Sequence, residues 1–290
     1  MTNQKANHSV SIGQLSDLTA LKGDAVVISN MLDNALKQFS KLELSAGQRW
    51  QLLSYLNMLL FWNKAYNLTA ISEPKTAFIK HIVDCLAMVA HLPADRLAVD
   101  ALDAPIRLLD VGTGAGLPAM IIAICRPDVQ CVALDSNQKK IRFIKQVASE
   151  LGVRNCLPVA ARIETHIETH TDSYDWITSR AFANLQTFAD VAMPYLTESG
   201  HLLAMKARLP ELSHLKMDFV AKNDDNQYIH SQSQNNHQSM ATKTDAKTDM
   251  MLSETAEQYA QLSQNWRIKL IELDVPYLDE PRHLVTMQSY

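Results

Sequence analysis

The chain has 290 residues, of which 47% are hydrophobic and 7% aromatic, and its formal net charge is −4 at neutral pH. This length allows one full-sized hydrophobic core with some appendages. No apolar run approaches the length of a membrane span, and the first residues lack the basic-then-apolar pattern of a secretion signal, so we expect a cytoplasmic protein without a membrane partner.

The N-terminal third is predicted to be helical after a flexible tail over residues 1–26. Apolar residues recur at helical spacing through the stretch AGQRWQLLSYLNMLLFWNKAY, and Ser45 stands directly before it as a helix cap. A further helix is predicted through PKTAFIKHIVDCLAMVAHL, where Lys75, Lys80 and His81 either mark a basic side or belong to an ordinary solvated face. We therefore assign residues 27–100 to a small helical subdomain.

Short apolar strands alternate with amphipathic helices from Ile106 onward, which predicts an α/β domain over residues 101–290. The segments that read as strands are RLLDV, VQCVALD, NCLPVAARI, YDWITSRA, GHLLAMKA, WRIKLIELDV and HLVTMQ. Strands separated by helices indicate a parallel sheet that is covered on both faces. Ligands of such folds lie beyond the carboxyl ends of the strands, where Gly112, Asp135 and the residues after Val159 and Ile177 are expected to gather.

The stretch LLDVGTGAGLP reads as a strand that turns sharply into a helix through a glycine loop. A dinucleotide fingerprint starting at Gly112 would need glycine at position 117, which is Leu117. The phosphate-loop pattern also fails, because no Gly-Lys-Ser/Thr follows the loop. S-adenosylmethionine fits best, since it has a ribose but no pyrophosphate, and Asp135 at the end of the next strand can accept both ribose hydroxyls.

A polar stretch over residues 222–262 interrupts the predicted domain. It holds three lysines against six aspartates and glutamates, so a charge of −3 out of the total of −4 lies there. With scarcely any apolar periodicity it cannot bury enough surface to offset its ordering entropy, and we expect a disordered insertion. The rest of the chain is close to neutral, which leaves a nucleic-acid partner open.

The four cysteines are predicted to be reduced and mostly buried. They form no CxxC pair and have no histidine at ligand spacing; they are Cys85, Cys125, Cys131 and Cys156. This pattern gives no disulfide framework and no metal site.

Six motifs in this order resemble the RsmG (GidB) family of bacterial small-subunit rRNA methyltransferases. They are WNKAYNLTAI, KHIVDCL, LLDVGTGAGLP, LDSNQKKIRFIKQV, ITSRAFANL and DEPRHLV. The resemblance runs from about Leu52 to Met287, with the polar insertion between its parts. The chain departs from the usual pattern at Ala115 and Cys85, where proline and serine are common.

This resemblance implies a class I S-adenosylmethionine-dependent methyltransferase fold, Rossmann-like with a seven-stranded, mainly parallel sheet and a small N-terminal helical subdomain. It implies methyl transfer from S-adenosylmethionine to the N7 atom of a guanosine in 16S rRNA, as naked RNA or in the 30S subunit, by a protein that we expect to be monomeric. The cofactor-binding residues are predicted to be Asp110, Gly112, Gly114, Gly116, Leu117, Asp135, Ile163, Glu164 and Arg180.

The residues predicted to contact RNA are mainly basic. Those on the helix after Asp135 either bind the RNA backbone or form a solvated face. The full set of candidates is Lys139, Lys140, Arg142, Lys145, His81 and Arg282.

The residues after the fourth strand, WITSRAFANL, predict the type of chemistry. They lack the Asn/Asp-Pro-Pro-Tyr/Phe turn associated with exocyclic amines, and the nearest cysteine, Cys156, lies upstream, so a covalent route is not expected. Guanine N7 has a free lone pair and no proton, so positioning suffices, and Arg180 is predicted to position cofactor and RNA rather than act as an acid. A base such as His81 is the alternative.

Two other functions stay open at this point. One is a catalytically silent RNA-binding protein that keeps the methyltransferase fold. The other is a nicotinamide-dependent oxidoreductase, which the Leu117 mismatch disfavours.

Overall fold

The computed structural model describes residues 10–92, 105–169, 173–180, 184–207, 218–222, 228–232 and 261–290. The described part of the N-terminal region is helical, as predicted. Its helices are α1 (Ile12–Ser16), α2 (Ala25–Gln38), α3 (Ala46–Tyr66), α4 (Pro74–Ala77) and α5 (Asp84–Val89), and a π-helical segment, Phe78–Val83, joins α4 to α5. None of the helices among these residues combines the length and hydropathy needed to cross a bilayer.

Helix α3 begins where the sequence predicts. The Ser45 hydroxyl accepts a hydrogen bond from the Gln48 amide, and the Gln48 side chain accepts one in return from the Ser45 amide. This reciprocal capping satisfies two amides that the first turn of a helix leaves free. At the other end Asn67 has φ +50°, so it closes the helix in the left-handed conformation that asparagine tolerates.

The prediction of a flexible tail over residues 1–26 is wrong from residue 10 onward; residues 1–9 lie outside the described residues. Ser11 and Gln14 cap α1 reciprocally, and a 3-10 turn, Thr19–Leu21, leads into α2. Leu15, Leu18 and Leu21 are buried in the core, and the Ala20 amide donates to the Asn57 side chain of α3 at 2.8 Å. The sequence did not reveal this segment, because a pattern of only three leucines among polar residues is too short to predict a buried helix face.

We expect Leu21→Ala to lower the free energy of unfolding by about 2–4 kcal/mol, because Leu21 is fully buried and its truncation leaves a cavity. Ile12→Ala is the matched control in the same segment, since Ile12 is 79% exposed and should change stability by less than about 0.5 kcal/mol. Urea unfolding followed by circular dichroism measures both. Equal, small effects would mean that residues 10–24 do not contribute to the folded core.

The α/β region contains the seven predicted strands and two more. Its elements are β1 (Ile106–Val111), α6 (Ala119–Cys125), β2 (Val129–Asp135), α7 (Gln138–Leu151), β3 (Cys156–Ala160), α8 (Ile163–Thr169), β4 (Tyr174–Ser179), α9 (Leu185–Ala192), β5 (Leu196–Lys206), β6 (Asp218–Lys222), β7 (Tyr228–Gln232), β8 (Trp266–Glu272) and β9 (His283–Ser289).

Within the described residues these strands form one sheet in the order β3-β2-β1-β4-β5-β9-β8-β6-β7. Strands β1 to β5 are parallel to one another, and β9 runs antiparallel between β5 and β8. The reversal of order on either side of β1 is the topological switch point at which ligands of open α/β sheets bind.

The expected disordered insertion over residues 222–262 is corrected in part. Strand β7 lies inside it and pairs antiparallel with β6, which in turn pairs parallel with β8 and extends the sheet beyond seven strands. The prediction judged the stretch by its lack of apolar periodicity, whereas an edge strand is held mainly by backbone hydrogen bonds. Residues 233–260 lie outside the described residues.

The helical region and the sheet share a core. Successive residues of a strand point to opposite faces, so Leu108 packs with the helices of the N-terminal region while Leu109 packs under α9. The buried Tyr55 hydroxyl of α3 donates to the Ala115 carbonyl of the glycine loop at 2.9 Å. The N-terminal helices therefore pack directly against the loop that follows β1, and the predicted boundary at residue 100 falls outside the described residues. All four cysteines are free and buried, as predicted.

Candidate active site

The glycine loop leaves β1 in a conformation that few other residues could adopt. Gly112, Gly114 and Gly116 have φ values of +71°, +61° and +95°, in the left-handed region that favours glycine. The amides of Gly112 and Thr113 donate to the Leu134 carbonyl at 2.9 and 3.0 Å, so the loop is tied to the end of β2. A Cβ at Gly116 would press on Met120 and Ile144, whereas one at Gly114 would meet no atom within 4 Å.

The Asp110 side chain stabilises this loop through hydrogen bonds. Its Oδ2 accepts hydrogen bonds from the Thr113 hydroxyl at 2.6 Å and from the Ala119 amide at 3.1 Å, while Oδ1 has no partner within the described part of the chain. Burial raises the pKa of Asp110 to about 6, although the bonds from Thr113 and Ala119 oppose the shift. Asp110 is fully buried and supports the loop through these bonds, while its direct contact with a cofactor stays a prediction.

Asp135 ends β2 beside a cleft of about 420 Å³ at the carboxyl edge of the sheet. One carboxylate oxygen accepts from the Gly114 amide at 2.9 Å and the other from the Asn137 amide at 2.8 Å, so backbone groups fix the carboxylate. The residues lining this cleft are Val111, Gly112, Leu134, Asp135, Ser136, Lys140, Ala161, Arg162, Ile163 and Glu164.

The structure thus brings four predicted cofactor residues to one cleft: Gly112, Asp135, Ile163 and Glu164. Gly114 joins them through its bond to Asp135. The cleft does not include Gly116 and Leu117, which face the core, or Arg180, which lines a different cleft.

Arg180 follows β4 directly and lines a second cleft, of about 230 Å³, against the π-helical segment. Its guanidinium donates to the Cys85 sulfur at 3.3 Å and to the Lys80 carbonyl at 3.4 Å, and it lies 3.6 Å from the Asp84 carboxylate. Burial opposes the charge, but the Cys85 and Asp84 side chains raise the pKa of Arg180 above its ordinary value, so it stays positively charged. The ion-pair partner of Arg180 is therefore Asp84.

Asp84 is the central residue of this second cleft. Arg282 from the loop before β9 donates its Nε to Oδ1 at 3.2 Å, while Arg180 faces Oδ2. Burial raises the pKa of Asp84, and the two guanidinium groups pull it down. Asp84 and His81, three residues apart in the sequence, are both buried.

His81 has a defined tautomer and no free nitrogen. Its Nδ1 lies 3.1 Å from the Lys80 carbonyl, which can only accept, so Nδ1 carries the proton. Nε2 then accepts from the Thr69 hydroxyl at 2.8 Å. Burial and the nearby Arg180 charge lower the pKa of His81 to about 4, so the ring is neutral at physiological pH. Only 7% of His81 is exposed, and this part lines the second cleft, so its contact with RNA stays a prediction.

In the segment PKTAFIKHIVDCLAMVAHL, the lysines form ion pairs and do not make a basic side. Lys75 pairs with Asp24 at 3.0 Å, and Lys80 pairs with Glu280 at 2.9 Å. Arg282, another RNA candidate, lines the second cleft. Its guanidinium binds the carboxylates of Asp84 and Glu280.

Helix α7 presents a basic face beside the first cleft. Lys139, Arg142 and Lys145 are exposed, and the opposite side of the helix packs into the core through Phe143 and its neighbours. Lys140 turns toward the cleft, where its ammonium lies 3.8 Å from Asp135. The four predicted phosphate contacts of this helix therefore do not share one environment, because Lys140 belongs to the cleft and the others to the surface.

The strand order, the glycine loop after β1 and the acid at the end of β2 together define a class I S-adenosylmethionine-dependent methyltransferase. The first seven strands of the order, β3-β2-β1-β4-β5-β9-β8, correspond to the predicted sheet. The family model of rRNA small subunit methyltransferase G (GidB) matches residues 48–241, and the chain belongs to this family.

Curated relatives support the assignment over nearly the whole chain. The ribosomal RNA small subunit methyltransferase G of Psychrobacter cryohalolentis is 44% identical over 260 residues, covering 90% of this chain and 84% of the relative. The protein of the same name from Psychrobacter arcticus is 41% identical over 283 residues, covering 96% and 94%.

Solved structures are similar only at a distance. An O-methyltransferase from Bacillus cereus, in complex with SAH, matches with a TM-score of 0.46 and 11% identity over 81% of this chain and 91% of that one. An rRNA methylase from Streptococcus thermophilus matches with a TM-score of 0.39 and 14% identity over 71% and 93%. The fold assignment therefore depends on strand order and family membership.

Proposed function

We propose that the protein transfers a methyl group from S-adenosylmethionine to the N7 atom of a guanosine in 16S rRNA of the small ribosomal subunit. The observation that carries the proposal is the position of the Asp135 carboxylate, fixed by backbone amides at the mouth of a cleft beside the glycine loop, in a chain of this family. The proposed working form is a cytoplasmic monomer.

The first cleft has the chemistry to hold S-adenosylmethionine. Each oxygen of Asp135 accepts one backbone amide, which leaves further lone pairs for the two hydroxyls of a ribose. The absence of a side chain at Gly114 keeps open the space above that carboxylate. When bound, the cofactor supplies an electrophilic methyl group on a sulfonium ion. The charged side chains of the cleft balance, with Asp135 and Glu164 against Lys140 and Arg162.

The second cleft is the proposed place of the acceptor guanosine. The cationic side chains that line it outnumber the carboxylates; they are Lys80, Arg180, Lys206 and Arg282. An excess of positive charge favours RNA, and a guanidinium group can donate to the O6 edge of guanine. Arg180 is the positioning residue in this proposal, because it lies at the carboxyl end of β4, next to β1, whose glycine loop borders the first cleft.

No general base is needed in this mechanism. Guanine N7 attacks with a free lone pair and loses no proton, so alignment of the lone pair with the methyl group is the main requirement. The candidate base, His81, supports this reading, because the Thr69 hydroxyl occupies its Nε2 lone pair and the Lys80 carbonyl occupies its Nδ1 proton.

Calorimetric titration with S-adenosylmethionine and with NAD, followed by methyl transfer to 30S subunits and to naked 16S rRNA, tests the proposal. We expect binding of S-adenosylmethionine alone and a product that carries 7-methylguanosine. Binding of NAD alone would identify an oxidoreductase instead. Cofactor and RNA binding without transfer to either substrate would identify a catalytically silent RNA-binding protein.

Replacing Lys139, Arg142 and Lys145 together by Ala should weaken RNA binding and reduce its salt dependence by up to about three units of slope, roughly one for each phosphate that is no longer bound. These three side chains are exposed, and no ion pair joins them to another of the described residues. The measurement is the affinity for 16S rRNA fragments over a range of potassium chloride concentrations. Lys75→Ala, which removes an ion-paired lysine, is the control and should leave the slope unchanged.

A further inference from the structure

An aromatic pair lies exposed at the C-terminal end of α3. The rings of Trp62 and Tyr66 stack with their centroids 5.2 Å apart and an angle of 29° between their planes. Trp62 is partly buried and 39% of Tyr66 is exposed, and the neighbouring Phe61 is 61% exposed. Residues four apart on a helix share a face, so the two stacked rings form one small platform with Tyr66 on its outer side.

This platform packs against α7, the helix that also carries Lys139 and Arg142. The Trp62 ring lies 5.9 Å from the buried Phe143 ring of α7. Lys139 precedes Phe143 by four residues, so it lies one helical turn closer to the N-terminal end of α7, which is the end nearest the first cleft. Lys140, next along the chain, lines that cleft. Helix α7 thus connects the aromatic pair to the proposed cofactor site.

Aromatic rings beside unneutralised cations suit single-stranded nucleic acid. An unpaired base can stack on an exposed ring whatever its identity, and the phosphates on either side of the base meet the cations. No acidic side chain forms an ion pair with Lys139 or Arg142 within the described residues, so this charge is free to meet phosphate.

We propose that Trp62 and Tyr66 form a stacking platform for an unpaired base of the RNA substrate, near the guanosine that is methylated, with Lys139 and Arg142 holding the adjacent phosphates. The inference rests on the proposed function for the identity of the RNA. It adds a recognition mode, in which part of the substrate binds as single strand outside both clefts.

Variants of Tyr66 test the platform without disturbing the core. Stacking needs a flat ring but no hydroxyl, so Tyr66→Phe should bind a single-stranded oligoribonucleotide like the wild type, whereas Tyr66→Ala and Tyr66→Leu should bind about 10-fold more weakly. The slope of affinity against salt concentration should stay unchanged, since the same number of phosphates is bound in each variant. Tyr277→Ala is the matched control, because Tyr277 is an exposed tyrosine, at 45%, away from α7.

Three results would overturn the proposal. Equal binding by Tyr66→Leu and Tyr66→Phe would mean that apolar area matters and stacking does not. Wild-type binding by Tyr66→Ala would remove the residue from the RNA surface. If Tyr66→Ala binds RNA like the wild type but methylates 30S subunits more slowly, the aromatic pair contacts a ribosomal protein and not RNA. Methyl transfer by the wild-type protein is measured in parallel. If the wild type is active, these results concern the stacking platform alone; if it is inactive, the proposed function fails.

Discussion

Asp135→Ala is expected to weaken the binding of S-adenosylmethionine by roughly 10- to 100-fold, because a ribose hydroxyl left without its acceptor costs about 1–3 kcal/mol. The change removes the carboxylate that the Gly114 and Asn137 amides fix at the mouth of the first cleft. Isothermal titration with the cofactor measures the effect. Asp128→Ala is the matched control, since Asp128 precedes β2, at the opposite end of the strand that Asp135 ends, and pairs only with Arg126 among the described residues.

The glycine loop offers a second control on the same site. Gly114 and Gly152 have φ values of +61° and +67°, and a Cβ at either would meet no atom within 4 Å. Alanine at each should therefore cost a similar 1–2 kcal/mol or so of backbone strain. Only Gly114→Ala should weaken cofactor binding, because Gly152 ends α7 on the far side from the cleft. An equal affinity in Asp135→Ala and the wild type would move the cofactor away from this cleft.

The cofactor site could be predicted from sequence to the extent that it is local. The loop from Asp110 to Leu117 is continuous, and Asp135 ends the next strand, so pattern and spacing were enough to bring Gly112 and Asp135 to one edge of the sheet. The same pattern could not show which loop residues face the ligand. The Asp110 side chain is buried in the core, and the Cα of Gly116 faces Ile144. Both orientations depend on how α6 and α7 pack against the loop.

The second cleft could not be predicted, because it is assembled from distant segments. Asp84 and Arg282 are separated by almost 200 residues and meet only because β9 inserts beside β5 and places its preceding loop against the π-helical segment. His81 and Asp84 are close in the sequence, but only the structure shows that both are buried. The family resemblance drew attention to these residues, but their geometry follows from sheet topology.

The N-terminal residues and the polar insertion show the limit of composition as a guide. The buried leucines of residues 10–24 lie in or next to two short helical segments, and β7 joins the edge of the sheet through backbone pairing. Both segments contain too few apolar residues to be predicted as ordered. Contacts with elements that are distant in the sequence offset the conformational entropy that each segment loses.

Arg180→Ala is expected to slow methyl transfer about 100-fold in single turnover with saturating RNA, since misplacing reacting groups by about 1 Å can cost that much. The guanidinium of Arg180 is held by the Cys85 sulfur, the Lys80 carbonyl and the Asp84 carboxylate, so it presents a fixed charge to the second cleft. Arg126→Ala is the matched control. The two arginine side chains are 26% and 24% exposed, each pairs with an aspartate, and Arg126 lies at the opposite edge of the sheet.

The dependence of this rate on pH, combined with the variant His81→Gln, distinguishes positioning from base catalysis. Arg180 remains charged and His81 remains neutral at physiological pH, because burial and the Arg180 charge lower the pKa of His81 to about 4. We therefore expect a flat rate between pH 7 and 9, while any change near pH 6 belongs to Asp110, whose pKa burial raises to about 6. A general base must be deprotonated to act, so base catalysis would make the rate fall as the pH falls through the pKa of that base. A His81 base with a pKa of about 4 would also give a flat rate above pH 7, so the rate of His81→Gln in that range is the deciding measurement. A rate close to that of the wild type is expected, and a loss as large as that of Arg180→Ala would contradict the base-free mechanism.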